Sequence, residues 1–130
     1  MDNRKTGIVI KVKNLTSCKA FYRDILDLGD PVLDSNFRVE FQCGSSFFLV
    51  LEKTPWDEPL PPPSNRIVWL YQTANAKTVW TKMISYGFPV PNLSEVVANG
   101  ERLCRFADPE GNPFYVPSGV PETTSKRGQI

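Results

Sequence analysis

The side chains that most often act as nucleophile activators and metal ligands are scarce in this sequence. It contains no histidine in 130 residues, so the Ser/His and Cys/His pairs of nucleophilic enzymes are excluded. The three cysteines, Cys18, Cys43 and Cys104, lack metal-like spacing, and we interpret them as buried free thiols. Acid–base chemistry has two candidates in predicted strands, Glu40 and Tyr115. The structural interpretation of Tyr115, a packed aromatic with one hydrogen bond, is the commoner one.

Candidate binding residues follow from the alternation of apolar and polar residues in predicted strands. Ile8, Ile10 and Val12 are expected to face a helix, so Val9 and Lys11 face the opposite side of the sheet. The same reasoning places on that side Arg38, Glu40, Gln42, Phe48, Val50, Arg66, Val68, Leu70, Leu103, Arg105 and Tyr115. Basic groups in this set outnumber its one acid, which favours an anionic or carboxylate-bearing ligand. Alternatively, Arg38 and Glu40 are an ion pair on a solvated strand face.

Two helices are predicted to lie between these strands. Apolar residues recur at helical spacing in residues 18–26 and again in residues 76–84. The first helix is expected to end at Gly29 and the second at Gly87, each with a proline two residues later. Trp69 and Trp80 fall on the apolar stripes and are expected in the core.

The order of these elements is βαβββ, twice. Module one is predicted to span residues 7–53 and module two residues 65–116, within one domain of residues 1–116. The linker of residues 54–64 contains five of the twelve prolines, and residues 117–130 have the composition of a mobile tail. Each helix covers one face of its sheet. We therefore expect an α+β fold in which a curved mixed sheet surrounds a concave cavity, with the helices outside.

Two motifs resemble the vicinal-oxygen-chelate superfamily, which holds glyoxalases, extradiol dioxygenases and bleomycin-resistance proteins. They read VKNLTSCKAFYRDILDLG and RFADPEGNPFYV, in that order and at the separation found in the superfamily. The resemblance covers about residues 7–116 and implies the paired βαβββ modules. It also implies a homodimer, since paired-module chains of this kind commonly associate and open sheet edges need covering.

The resemblance further implies a divalent metal held by His and Glu side chains on the concave face. The matching positions here are about Gly7, Val50 (or Phe48), Arg66 and Tyr115. None of these is a normal carboxylate or imidazole ligand, and Arg66 would repel a cation. A metal-dependent glyoxalase or dioxygenase activity is therefore disfavoured, and no cofactor is expected.

The sequence thus predicts a metal-free protein that binds a small organic anion, in a sequestering or resistance role rather than as an enzyme. The alternative is a metal-independent lyase or isomerase that uses Tyr115 or Glu40 as acid or base. A third interpretation is a structural or regulatory domain that binds nothing specific. The net charge of +1 gives no case for nucleic acid or an acidic membrane, and no apolar run is long enough to span a bilayer. Without a signal-peptide pattern, a cytoplasmic location is expected.

Overall fold

The computed structural model describes residues 5–63, 66–72, 75–88, 95–98 and 101–118, which separate into two units. The first unit comprises the described residues up to Arg66 together with the segment Ala107–Asn112. The second comprises the described residues of Ile67–Phe106 and those from Pro113 onward. The predicted strand signal at Val90 lies outside the described residues, as does the predicted tail apart from Pro117 and Ser118.

Both units have the βαβββ order, so the predicted α+β fold with two such modules is confirmed. The first contains β1 (Thr6–Val12), α1 (Leu15–Ala20), β2 (Leu33–Asp34), β3 (Arg38–Cys43) and β4 (Phe47–Lys53). The second contains β5 (Trp69–Leu70), α2 (Ala76–Ser85), β6 (Glu95–Ala98), β7 (Glu101–Ala107) and β8 (Pro113–Pro117). The strand orders are β1-β4-β3-β2 and β5-β8-β7-β6, with β1–β4 and β5–β8 parallel. The same topology in both units accounts for the weak repeat in the sequence.

The core of the first unit forms between α1 and the sheet face beneath it. Five helical side chains are almost fully buried: Cys18, Phe21, Tyr22, Ile25 and Leu26. They meet Val39 and Phe41 of β3 and Leu49 and Leu51 of β4, all at most 1% exposed. These are the residues that alternation assigned to the helix side, because residues two apart on a strand share a face.

The end of the first helix differs from the prediction. Asn14 caps α1 by accepting a hydrogen bond from Ser17 N, and the helix continues in π-helical form over Phe21–Ile25. The cap is Leu26, and Asp27 takes the left-handed conformation at φ 59°, so the expectation that Gly29 ends the helix is wrong. Leu26 N bonds to Phe21 O, a spacing of five residues that propensity rules do not anticipate.

The second unit is less regular than predicted. Strand β5 consists of Trp69 and Leu70, and Ile67, two residues before it, is 77% exposed. Helix α2 is capped by Asn75 and ends at Gly87 with φ 79°, as expected. Trp80 is 36% exposed rather than buried, because the core face of α2 is made by Ala76, Val79 and Met83. Within the described part of the chain, no helix is long and apolar enough to cross a membrane.

Candidate functional site

One face of the first sheet brings together all seven candidate residues predicted from β1, β3 and β4. Val9 lies beside Val50, which lies beside Glu40, and Leu33 of β2 completes this row. A second row, on one side of the first, runs across the strands from Gly7 to Phe48 and Gln42. A third row, on the other side, is charged and runs from Lys11 to Glu52 and Arg38. Directly paired residues point to the same side of a sheet, so these side chains share one surface. We call it the β1/β3/β4 face.

Ion pairs neutralise much of the charge on the β1/β3/β4 face. Arg38 Nε lies 3.0 Å from Glu40 Oε2, and its Nη1 lies 3.6 Å from Glu52 Oε2. Lys5 Nζ lies 3.5 Å from Glu40 Oε1. The expectation that Glu40 is the one acid beside the basic groups is therefore wrong, because Glu52 shares the face. The predicted Arg38–Glu40 ion pair is present.

Lys5 was missed by the sequence reasoning, although the alternation of Gly7, Val9 and Lys11 extends back to it. Its ammonium group lies 4.8 Å from the centre of the Phe48 ring and so covers part of the apolar surface. Lys11 is exposed, and among the described residues no carboxylate lies within 4.0 Å of it. Among the described residues of this face, Lys11 rather than Arg38 is therefore the cation available to an anion.

Gly7 occupies the position on β1 that the resemblance assigns to a metal ligand. A Cβ atom built there would lie 2.0 Å from the carbonyl oxygen of Phe48 and 2.8 Å from its carbonyl carbon. Backbone atoms cannot rotate away as the end of a flexible side chain could. Any other residue at position 7, histidine included, would therefore require β1 and β4 to move apart.

The second unit contains several of the ligand-binding residues that were predicted from the second module. Leu70 pairs with Tyr115, so these two side chains share a face of the second sheet. Tyr115 and Arg105 are half-buried, and Leu103 is buried at 6% exposure. Val68 precedes β5 and is half-buried, whereas Arg66 is exposed at the end of the first unit. The ligand-binding role of these residues stays a prediction.

A second polar cluster lies where the turn segment 107–112 meets α1 within the first unit. Asp108, 5% exposed, accepts hydrogen bonds from Tyr22 Oη at 2.8 Å and from the Asn112 and Glu110 backbone N–H groups. Glu110 accepts bonds from Lys13 N at 2.7 Å and from Asn14 N at 2.6 Å. We call this arrangement the acidic turn cluster. Its acceptors are saturated by donors of the chain itself, which indicates a structural role.

The acidic turn cluster also fixes the protonation of its neighbours. Burial, followed by the nearby Asp108 and Glu110 carboxylates, raises the pKa of the Cys18 thiol far above its ordinary value. Burial and Asp108 likewise raise the pKa of the Tyr22 hydroxyl. A thiol held in its protonated form is a poor nucleophile, so the interpretation of Cys18 as an inert core residue is supported. Cys18, Cys43 and Cys104 are all free cysteines.

Comparison with solved structures places this fold among glyoxalase and antibiotic-resistance proteins. It is similar to a lactoylglutathione lyase from Agrobacterium tumefaciens, with 22% identity and a TM-score of 0.59 over 92% of this chain and 96% of that one. It is also similar to a fosfomycin resistance protein from Listeria monocytogenes, at 19% identity and a TM-score of 0.64 over 98% and 100% of the two chains.

A third similar structure is a glyoxalase-related enzyme from Fulvimarina pelagi, at 14% identity and a TM-score of 0.66 over 88% of this chain and 87% of that one. No protein-family model matches the sequence, and no curated protein matches it. The chain therefore has the fold of the vicinal-oxygen-chelate superfamily, as the two sequence motifs predicted.

The residues present do not fit the divalent metal that the sequence resemblance implies. Gly7 has no side chain and no space for one, and Val50 is apolar. Arg66 is cationic, which leaves the Tyr115 phenol as the one oxygen donor among the four matching positions. Among the described residues, no group of three or more Cys, Asp or Glu side chains is arranged to hold a metal ion.

Proposed function

We propose that this protein binds a small organic anion without a metal, using the β1/β3/β4 face as its principal surface in the first unit. The observation that carries the proposal is Gly7, where the fold's metal-ligand position cannot hold any side chain without moving the backbone. Loss of that ligand removes the electrophile through which metal-dependent members of this fold polarise their substrates.

The surface has the composition expected of a small-molecule site. Val9, Val50 and Phe48 supply apolar contact, and Gln42 and Glu40 supply hydrogen-bonding groups. Lys11 supplies the positive charge, because it is exposed and has no carboxylate partner among the described residues. A carboxylate or phosphate of the ligand would pair with Lys11 while its organic body covers the valines.

Binding is favoured over acid–base catalysis by the surroundings of Glu40. Its two carboxylate oxygens are engaged by different cations, Oε1 by Lys5 and Oε2 by Arg38. The Glu40 side chain is only 13% exposed, so a substrate proton would have to displace one of these ion pairs to reach it. A carboxylate held in this way is suited to orient a ligand.

The proposal is tested by a thermal-shift screen of matched anionic, neutral and cationic compounds. Anionic compounds with an apolar body should raise the melting temperature most, and Lys11→Gln should remove most of that increase. Lys77→Gln, an exposed lysine of α2 in the second unit, is the matched control and should leave the increase unchanged. Best stabilisation by cationic compounds, or an unchanged response of Lys11→Gln, would show that the charge assignment is wrong.

We also propose that the protein works as a homodimer in the cytoplasm. Among the described residues, β1 and β2 are the outer strands of the first sheet, and unpaired strand edges favour association. Trp56, 89% exposed in the proline-rich segment, is a further candidate contact. Light scattering at micromolar concentration should give twice the chain mass of 14.7 kDa, and a value equal to the chain mass would refute the dimer.

A further inference from the structure

A cleft of about 580 Å³ opens on the α1 side of the first sheet, away from the β1/β3/β4 face. It is lined by the first turn of α1, by the β2–β3 connection and by Lys53 at the end of β4. Lys53 follows Leu49 and Leu51 on the sheet face that α1 covers. Lys11 and Arg38 belong to the opposite face. The two surfaces are therefore separate, and their ligands can be tested independently.

Charged groups around this cleft are predominantly positive. Its lining contains three lysines, Lys13, Lys19 and Lys53, and one acid, Asp34. Lys19 Nζ lies 3.2 Å from both carboxylate oxygens of Asp34, so this pair is already neutralised. Among the described residues, neither Lys13 nor Lys53 has a carboxylate within 4.0 Å. Within the described part of the chain, two positive charges that line the cleft thus have no carboxylate partner.

The position of one of these lysines is fixed by the backbone. Lys13 Nζ donates hydrogen bonds to the carbonyl oxygens of Pro55 and Glu58, which fix the position of its ammonium group. A third donor on an ammonium group stays available when two are used. Binding of an ion beside Lys13 therefore costs less side-chain entropy than binding beside a freely rotating lysine.

The floor of the cleft is apolar, whereas its rim is polar. Val39 is 1% exposed and Leu15 is 8% exposed, and the hydroxyl-bearing Thr16 belongs to the rim. A volume of about 580 Å³ lies within the range of small-molecule pockets and leaves room for an organic group beside an anion. An apolar floor beneath the ammonium groups also strengthens their field, because it excludes water from one side.

We propose that this cleft binds a phosphate monoester, with the phosphate between Lys13 and Lys53 and the organic group on Val39. Its cationic groups are ammonium ions, which bind phosphate as point charges, and the described residues of its lining include no arginine, whose guanidinium group grips a carboxylate through two bonds. A phosphate monoester carries close to two negative charges at pH 7, since its second pKa is about 6. That charge matches the two uncompensated lysines.

Calorimetric titration with phenyl phosphate tests the proposal, because its aromatic ring can cover the floor. Lys53→Gln should weaken the measured dissociation constant by about three- to tenfold, the effect of losing one charged contact near the surface. Asp34→Asn should tighten it, since the substitution removes a repelling carboxylate and releases Lys19 from its ion pair. Lys77→Gln, an exposed lysine of α2 outside both proposed sites, is the matched control and should leave it unchanged.

Four results would overturn the proposal. The first is the absence of any heat of binding when millimolar phenyl phosphate is added to the wild type, and the second is that phenol binds as tightly as phenyl phosphate. The third is a loss of affinity in Lys11→Gln but not in Lys53→Gln, and the fourth is weaker rather than tighter binding by Asp34→Asn. The third result would assign the anion to the β1/β3/β4 face and would leave the proposed function standing. Far-ultraviolet circular dichroism confirms that each variant, changed at a surface position, remains folded.

Discussion

Removal of the Glu110 carboxylate is expected to be among the most damaging single changes on the surface of the first unit. The Glu110 carboxylate accepts hydrogen bonds from two backbone N–H groups, Lys13 N at 2.7 Å and Asn14 N at 2.6 Å. These donors lie 97 and 96 residues before Glu110 in the sequence. Hydrogen bonds to a charged group contribute about 1.5–3 kcal/mol each. Asn14 is exposed and Lys13 half-buried, so water replaces part of the loss. We expect Glu110→Ala to lower the free energy of unfolding by about 2–3 kcal/mol.

Urea denaturation followed by tryptophan fluorescence measures this change. Glu58→Ala is the matched control, because Glu58 is exposed and contributes only its backbone carbonyl to the bond with Lys13. Glu110→Gln should have an intermediate effect, since it keeps one acceptor oxygen but directs an amide donor at backbone donors. If Glu110→Ala behaves like the Glu58→Ala control, the acidic turn cluster does not hold the turn against α1.

Three further changes test other parts of the structure. Tyr22→Phe removes the bond to Asp108 and should cost about 1.5–3 kcal/mol in urea denaturation, with unchanged stability arguing against that bond. The pKa of Cys18 is higher in the folded protein than its ordinary value of 9.0. The contribution of this thiol to stability is therefore fully present below pH 9.0 and declines as the pH rises above it. The free energy of unfolding should therefore fall by up to about 1.4 kcal/mol per pH unit between pH 9 and 10, and Cys18→Ala should flatten this decline; an unaltered slope would contradict it. Gly7→Ala should destabilise by at least about 2 kcal/mol because its Cβ meets Phe48 O, whereas a neutral effect would show that β1 and β4 can separate.

The sequence predicted the β1/β3/β4 face well because alternation has a period of two and the opposite face is buried. Val39, Phe41, Leu49 and Leu51 could only be buried together if their neighbours faced the other way. It did not predict which charges on that face neutralise one another. The position of Glu52 beside Arg38 depends on the register of β3 against β4, which local pattern does not specify.

Long-range contacts account for most of what the sequence could not show. The bond between Tyr22 and Asp108 joins residues 86 apart, and no local rule pairs a helix tyrosine with a turn aspartate. The same applies to the π-helical turn, which lets the first helix end at Leu26, three residues before the glycine that would ordinarily stop it. In the second unit, the shortness of β5 could not be inferred from the alternation of Ile67 and Trp69.

Native mass spectrometry of freshly purified protein, combined with elemental analysis of the same sample, tests the central claim most directly. We expect a dimer that retains a small organic anion and carries far less than one equivalent of zinc, nickel, manganese or iron. Gly7→Ala provides no new ligand and should leave the metal content unchanged. One equivalent of a divalent metal in wild-type protein, retained after gentle dialysis and lost with a chelator, would contradict the proposal of binding without a metal.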